Sequence, residues 1–432
     1  MTSAVADYNT DHAPTLFAPG RLGGRAVQVD PTSIAPLAGT GGRVYRANLS
    51  GPNAFAHLRG GHFGVVAVKV TEDDRTRQPR NPKREATILA RLNHPNIISL
   101  LNAYLVDEGS GAYAMPRLSL FTPLYPHSLR DLLDSASFTP DRDDGDACSF
   151  SQLAHSIAYQ LSAAVAHLHE REGIAHRDIN PSNVVLSRQG RVVLIDFGIS
   201  VQEGDEAPGE MHYQVGTGAY RAPELIFASR DYDRFAIDSW ALGCTIADLF
   251  RPLALPVARS LGSEEGDEDP FERAYRQYAT PEPEPVPTRA TLFDAGISDF
   301  VLAASIFRVL GTPTVETWPE AAHLPNFSRF TFAPFAPTPL SSHLPYLSPT
   351  CPLASLLPQL LQISATERIA AGQVARCVGQ GERLQLLLPD DFDDADRGHY
   401  TGFTAPASGA TSGSVPQRPE GLAKLVEAML PV

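Results

Sequence analysis

One polar run constrains this chain more than any other: His176-Arg177-Asp178-Ile179-Asn180-Pro181-Ser182-Asn183, followed shortly by Asp196-Phe197-Gly198. Two carboxylates and a carboxamide so close in sequence can orient a hydroxyl and offer hard oxygen donors to divalent cations, the groups that phosphate chemistry needs. Upstream, Gly64-Val65-Val66-Ala67-Val68-Lys69-Val70 runs through β-branched residues and reads as a buried strand carrying one lysine. Lys83 to Leu92 then sets apolar residues at helical spacing around Glu85, and Asn93-His94-Pro95-Asn96 stops that helix.

Taken in chain order, these motifs resemble those of a eukaryotic protein kinase. Tyr220-Arg221-Ala222-Pro223-Glu224 matches the end of an activation segment, and Asp238-Ser239-Trp240-Ala241-Leu242-Gly243 matches the buried helix after it. The resemblance spans about residues 30 to 380. It implies an α+β fold of two lobes, a small β-rich N-lobe with one main helix and a larger, mainly helical C-lobe. It also implies ATP and Mg2+ as cofactors and transfer of a phosphoryl group to a Ser or Thr hydroxyl. In that reading Asp178 orients the hydroxyl, Asn183 and Asp196 hold the metal, and Lys69 paired to Glu85 holds the phosphates. Asn180 and Thr217 stand beside Asp178. Leu37, Gly39, Gly42, Val44, Ala67, Thr122, Pro123 and Leu124 line the nucleotide. Structural roles fall to Asp238 under the catalytic loop, to Arg368 paired with Glu224, and to His176, Phe197 and Leu89 in a packed apolar spine.

Within the family, Ile306 to Pro319, with its Leu-Gly-Thr-Pro segment and Trp318-Pro319 pair, resembles the cyclin-dependent kinase group. The loosened glycine loop and the Thr217-Gly218-Ala219-Tyr220 approach to Ala-Pro-Glu are similar to single-subunit fungal CDK-activating kinases. In that group neither a cyclin nor loop phosphorylation is needed, and the substrate is the activation-loop threonine of another cyclin-dependent kinase. Only the terminal Arg84-Glu85 of the cyclin-binding helix signature is kept, so cyclin binding is not implied. Gly218 and Ala219 replace larger residues of proline-directed relatives, so the resemblance does not imply selection for proline after the phosphoacceptor.

Three departures from the family pattern carry consequences. Leu37 stands where the first loop glycine would be, and a Cβ there keeps the backbone farther from phosphates. Asn180 replaces a lysine that neutralises the transferred phosphate, so slower turnover or a substitute cation from elsewhere is expected. In the activation segment His212 occupies the usual phosphothreonine position. Of the three arginines that clamp that phosphate, Arg84 and Arg177 remain, and Val201 holds the third place. Glu210 is the expected stand-in for the phosphate.

With 432 residues and a formal net charge of −14, the chain has room for two lobes and no surplus of positive charge for nucleic acid or an anionic membrane. A protein substrate and a monomer are expected. Four scattered cysteines suggest a reduced compartment, and no apolar stretch reaches the roughly eighteen residues of a bilayer span. Cytoplasm or nucleus is the expected location. The chain divides into a leader at 1–28, an N-lobe at 29–122, a C-lobe at 123–385 and a largely disordered tail at 386–432. Solvated acidic or Pro-rich insertions are expected near 135–149 and 258–289, the connection between lobes at Phe121 to Pro126, and a short amphipathic helix at 421–430. Two other readings fit the same residues: a catalytically impaired scaffold and a cyclin-requiring kinase.

Overall fold

The computed structural model describes residues 27–37, 43–51, 64–72, 78–106, 117–140, 149–255, 286–296, 298–379, 387–393, 396, 398–400 and 421–430. The N-lobe is an antiparallel sheet of β1 (Ala35–Pro36), β2 (Val44–Asn48), β3 (Val65–Glu72), β4 (Asn102–Val106) and β5 (Arg117–Pro123), in the order β1-β2-β3-β5-β4. Alternation along β3 decides its two faces. Val66 and Val68 are buried with Val29, Ala47, Leu101, Tyr104 and Phe121, which turns Ala67 and Lys69 to the opposite face. Register then sets Lys69 across from Val44 on one side and Leu120 on the other.

Helix α1 (Pro82–Arg91) starts where its sequence demands: Asn81 accepts from the Arg84 amide, and Pro82 fills the first turn without wasting an N–H. The face carrying Glu85, Ala86, Ile88 and Leu89 is buried, so the one carboxylate on it is turned inward. The chain then enters the C-lobe through β6 (His127–Ser128) and α2 (Leu129–Asp134), which opens with a Ser128/Asp131 capping box.

The C-lobe is built on α3 (Ser149–His167) and continues through α4 (Pro223–Ile226), α5 (Arg234–Asp248), α6 (Asp299–Leu310), α7 (Pro352–Leu360) and α8 (Ala371–Gly379). Short antiparallel pairs lie at its upper edge: β6 with β8 (Val184–Leu186) and β9 (Val192–Leu194), and β7 (Ile174–Ala175) with β10 (Val201–Gln202). A further pair joins β11 (Leu253–Ala254) to β12 (Thr288–Arg289). The Leu-Gly-Thr-Pro segment turns through Gly311 at φ 91°, where a Cβ would press on Pro337 at 3.1 Å. Trp318 from the Trp-Pro pair is buried against Phe227, Phe307 and Phe327. Among the described residues no helix is long and apolar enough to cross a membrane.

In three stretches expected to be solvated or unstructured, the described residues at their edges are held by packing. Phe138 is buried against Phe150, at a centroid distance of 4.8 Å, so the 135–149 stretch begins in the core. Arg289, inside the 258–289 stretch, is buried over Phe138 and donates to the Leu133 carbonyl at 2.8 Å. Beyond 385, the buried Arg191 gathers Asp391 at 2.8 Å and Asp396 at 3.1 Å. A guanidinium in that position needs carboxylates, and among the described residues the C-terminal segment supplies them. Helix α9 (Leu422–Met429) buries Leu422, Leu425, Val426 and Met429, the spacing that predicts one apolar face. Residues 1–26, 141–148, 256–285 and 401–420 lie outside the described set.

Arg368 places a fully buried guanidinium on Glu224, at 2.6 and 2.7 Å, with its face over Trp240. Removing the cation strands Glu224 in a dry site. Arg368→Ala is therefore expected to destabilise the C-lobe by about 3–5 kcal/mol, read from the shift in the urea midpoint.

Candidate active site

Lys69 lies between two carboxylates from different parts of the fold. Its ammonium donates to Glu85 Oε1 on α1 at 2.6 Å and to Asp196 Oδ1 on the Asp-Phe-Gly turn at 2.8 Å. Burial alone pulls the lysine down, but Glu85 and Asp196 outweigh it and hold the ammonium well above its ordinary value. Burial pushes the Asp196 carboxyl up, and Lys69 reverses this, holding it well below the usual range. Asp196 takes a left-handed φ of 62°, a strained position for a side chain with a Cβ. The strain is held by the following residue: Phe197 is fully buried edge-on to His176, with centroids 4.8 Å apart. His176 Nε2 meets the Ile195 carbonyl at 3.0 Å, and Leu89 is buried in the same core.

The loop carrying Asp178 hangs from Asp238. Its two carboxylate oxygens accept from the backbone amides of His176 and Arg177, each at 2.7 Å. Asp178 itself is fixed by three side-chain donors. Thr217 Oγ1 donates at 2.6 Å and Asn180 Nδ2 at 3.2 Å to Oδ1, while Asn183 Nδ2 donates at 2.9 Å to Oδ2. A carboxylate held this way has one orientation and remains an acceptor, which suits it to receive a further hydroxyl. The amide of Ile195 donates to the Asn183 carbonyl at 2.9 Å, which ties the Asn183 turn to the strand leading into Asp196.

On the nucleotide side, the Leu37 amide donates to the Val44 carbonyl at 2.9 Å, closing the first hairpin, and Ala67 sits across β3 from Thr122. Gly39 and Gly42 lie outside the described residues. The connection between lobes starts later than the sequence suggests. Phe121 faces the sheet core and β5 continues to Pro123, so the free connection begins at Leu124. Pro123 has no N–H, so amide donors there belong to Leu124 and Tyr125. Tyr125 joins the set on this ground.

The activation segment departs from expectation at one residue. Glu206, not Glu210, meets the arginine pair: Arg177 reaches its two oxygens at 2.7 and 3.2 Å, and Arg84 Nη1 lies 3.9 Å away. Glu210 is exposed. The turn after β10 is the cause. The Glu203 amide bonds the Gly173 carbonyl at 2.8 Å and Asp205 folds back on Gln202, which swings Glu206 under the arginines. The arginines signalled that some carboxylate was needed, but counting back along a loop could not reveal this turn. Burial and the facing Arg177 hold the Arg84 guanidinium below its ordinary value, a strain that Glu206 relieves. Val201, in the third basic position, is buried and pairs with Ala175.

A family model described as protein kinase domain matches residues 54–376. The chain belongs to the protein kinase family. The kinase is 30% identical over 272 residues to serine/threonine-protein kinase csk1 of Schizosaccharomyces pombe, covering 62% of this chain and 72% of csk1. It is 29% identical over 254 residues to cyclin-dependent kinase 20 of Danio rerio, covering 59% of this chain and 58% of that one. The Mus musculus protein of the same name matches at 30% over 267 residues, 59% of its length, so the kinase spans less than two thirds of the two cyclin-dependent kinase 20 relatives. Among solved structures, the yeast RNA Pol II CTD kinase CTDK-1 complex aligns with a TM-score of 0.55 at 20% identity. That alignment covers 80% of this chain and 91% of that one, and shows the two-lobed fold. The kinase is thus a serine/threonine protein kinase similar to cyclin-dependent kinases, and the family uses ATP. Lys69 suits phosphate oxygens, and the Asp196 carboxylate with the Asn183 carboxamide oxygen fits the hard-donor demand of magnesium.

The pH dependence of the Lys69 site follows from three shifts. Burial raises Glu85 above its ordinary 4.5, so its share of stability is full below that value and is lost as pH rises through the folded one. Asp196 titrates below its ordinary 3.8, so its share of stability is full above that value and is lost as pH falls further. Lys69 titrates above its ordinary 10.5, so its share is full below that value and is lost as pH rises through the folded one. Lys69→Met is expected to melt below the parent between roughly pH 5 and 9, with the gap closing below about pH 4. Thermal melts without nucleotide check this.

Proposed function

We propose that this kinase phosphorylates the activation-loop threonine of another cyclin-dependent kinase, as a monomer in the cytoplasm or nucleus, without a cyclin and without phosphorylation of its own loop. The observation that carries the reading is Glu206 seated on Arg177 and Arg84 while Lys69 and Glu85 are already paired in the isolated chain. A glutamate there gives the segment an anion where kinases activated by loop phosphorylation carry a phosphothreonine. The resemblance to fungal CDK-activating kinases supports the choice of substrate.

In this mechanism ATP with magnesium supplies the phosphoryl group and screens its charge. Asp178, aimed by Thr217, Asn180 and Asn183, orients the substrate hydroxyl and receives its proton. Asp196 and Asn183 hold magnesium, and Lys69, kept charged by Glu85, holds the phosphates. Leu37, Val44 and Ala67 line the adenine with Thr122 to Tyr125, and the chain's own contribution is chiefly positioning and charge.

The test offers the purified chain, magnesium and labelled ATP to an inactive cyclin-dependent kinase with its loop threonine present or replaced by alanine. Label that requires both the threonine and Asp178, checked with Asp178→Asn, is the expected result. Labelling only after cyclin is added would sink cyclin independence, and none with cyclin or generic substrates would leave a scaffold. Glu206→Ala is expected to lower phosphatase-treated enzyme turnover by roughly tenfold. Unchanged turnover would remove Glu206 from the account.

A further inference from the structure

Residue 180 leaves a charge missing from the site. Asn180 is buried and wholly engaged nearby: Nδ2 donates to the Asp178 carbonyl at 3.1 Å and to its carboxylate at 3.2 Å, while Oδ1 accepts from the Ser182 amide at 2.9 Å. It carries no charge, and both ends of its amide are in use. Lys69 is divided between Glu85 and Asp196. A transfer that develops negative charge on phosphate oxygens calls for a further cation.

Arg80 stands where that cation is needed. Its Nη1 lies 3.9 Å from Asp196 Oδ1, and the side chain is 44% exposed. Two features of the fold bring it there. The Asn81 amide donates to the Gly198 carbonyl at 3.0 Å, tying the residue after Arg80 to the Asp-Phe-Gly turn. A Cβ on Gly198 would lie 3.1 Å from Arg80 Nη1, so the guanidinium sits directly against this glycine. Local stability does not explain an arginine at this position. A cation just ahead of α1 opposes the helix dipole, and an exposed pair at this distance adds little to folding.

We propose that Arg80 is the substitute cation: it contacts the phosphates of ATP beside Asp196 and supplies the positive charge that Asn180 lacks. The inference rests on the chain being an active phosphotransferase and not on its protein substrate, so a generic basic protein serves as acceptor.

The experiment compares Arg80→Ala and Arg80→Lys in the parent and in an Asn180→Lys background. Affinities for ATP and for adenosine are measured with magnesium by displacement of a fluorescent nucleotide, beside turnover. In Arg80→Ala, affinity for ATP is expected to fall about tenfold with adenosine unchanged, Arg80→Lys recovering most of it. Turnover is expected to fall about 10²-fold. The loss of ATP affinity should shrink when residue 180 already carries a lysine, since the two cations serve one charge. The ratio of ATP to adenosine affinity cancels any change in folded fraction. Equal losses for ATP and adenosine, no loss at all, or the same loss in both backgrounds would overturn the proposal. An absence of labelling on a cyclin-dependent kinase would not bear on it.

Discussion

The structure depends on one arrangement of three charges. Lys69 from the N-lobe sheet, Glu85 from α1 and Asp196 from the C-lobe converge within hydrogen-bonding distance. Ions taken out of water are expensive unless paired with good geometry, so this cluster is stable only when the strand, the helix and the turn are all in place. Sheet register fixes the lysine, the Asn81 cap fixes the helix face, and Phe197 buried on His176 holds Asp196 in its left-handed backbone. The lobes are thereby coupled through charge as well as through apolar contact.

The same economy of charge governs the activation segment. A phosphothreonine carries close to two negative charges, and the family answers it with three arginines. Glu206 carries one, and two arginines face it, with Val201 buried in the third place. Asp205, whose Oδ2 lies 4.0 Å from Arg84 Nη1, adds a second carboxylate, so the two arginines face two negative charges. A third arginine without the phosphate would be an unmatched cation beside Arg84, whose guanidinium is already held low by Arg177. Losing the phosphate site and losing the arginine are therefore coupled physically, and the valine restores a β10–β7 contact that a charge would have disturbed.

Much of this was legible in the sequence, and the legible parts share a cause. Strand β3, helix α1 and the polar run around Asp178 are local: alternation, capping and turn chemistry act over a few residues, so position in the chain fixes position in space. Those local signals place each residue on its strand, helix or turn, and it was the resemblance to protein kinases that grouped Lys69, Glu85, Asp178, Asn183 and Asp196 before any coordinates. The misreadings involve long-range partners. Asp391 and Asp396 lie in an acidic stretch whose composition suggests solvent, yet the buried Arg191 far upstream draws them in. Arg289 lies at the end of a low-complexity run, yet it answers the carbonyls of Leu133 and Phe138. Glu206 and Glu210 are chemically identical, and only the backbone turn set by Gly173 chooses between them.

Arg80 belongs to a third category, in which the sequence showed a need but not its answer. The lost lysine is read at position 180, whereas the arginine lies a hundred residues upstream, next to a helix cap. What joins them is Gly198. The Asn81 amide bonds its carbonyl, and so the start of α1 is held beside the Asp196 carboxylate. The geometry has a consequence for control. When α1 swings, Glu85 and Arg80 move together, so an outward helix would remove the anchor of Lys69 and the added phosphate charge in one motion. In a kinase with lysine at 180 those two contributions are independent. On the Arg80 proposal they ride on a single element, held by its Asn81 cap, its first proline and its tether to Gly198, which makes the position of α1 a steeper determinant of activity.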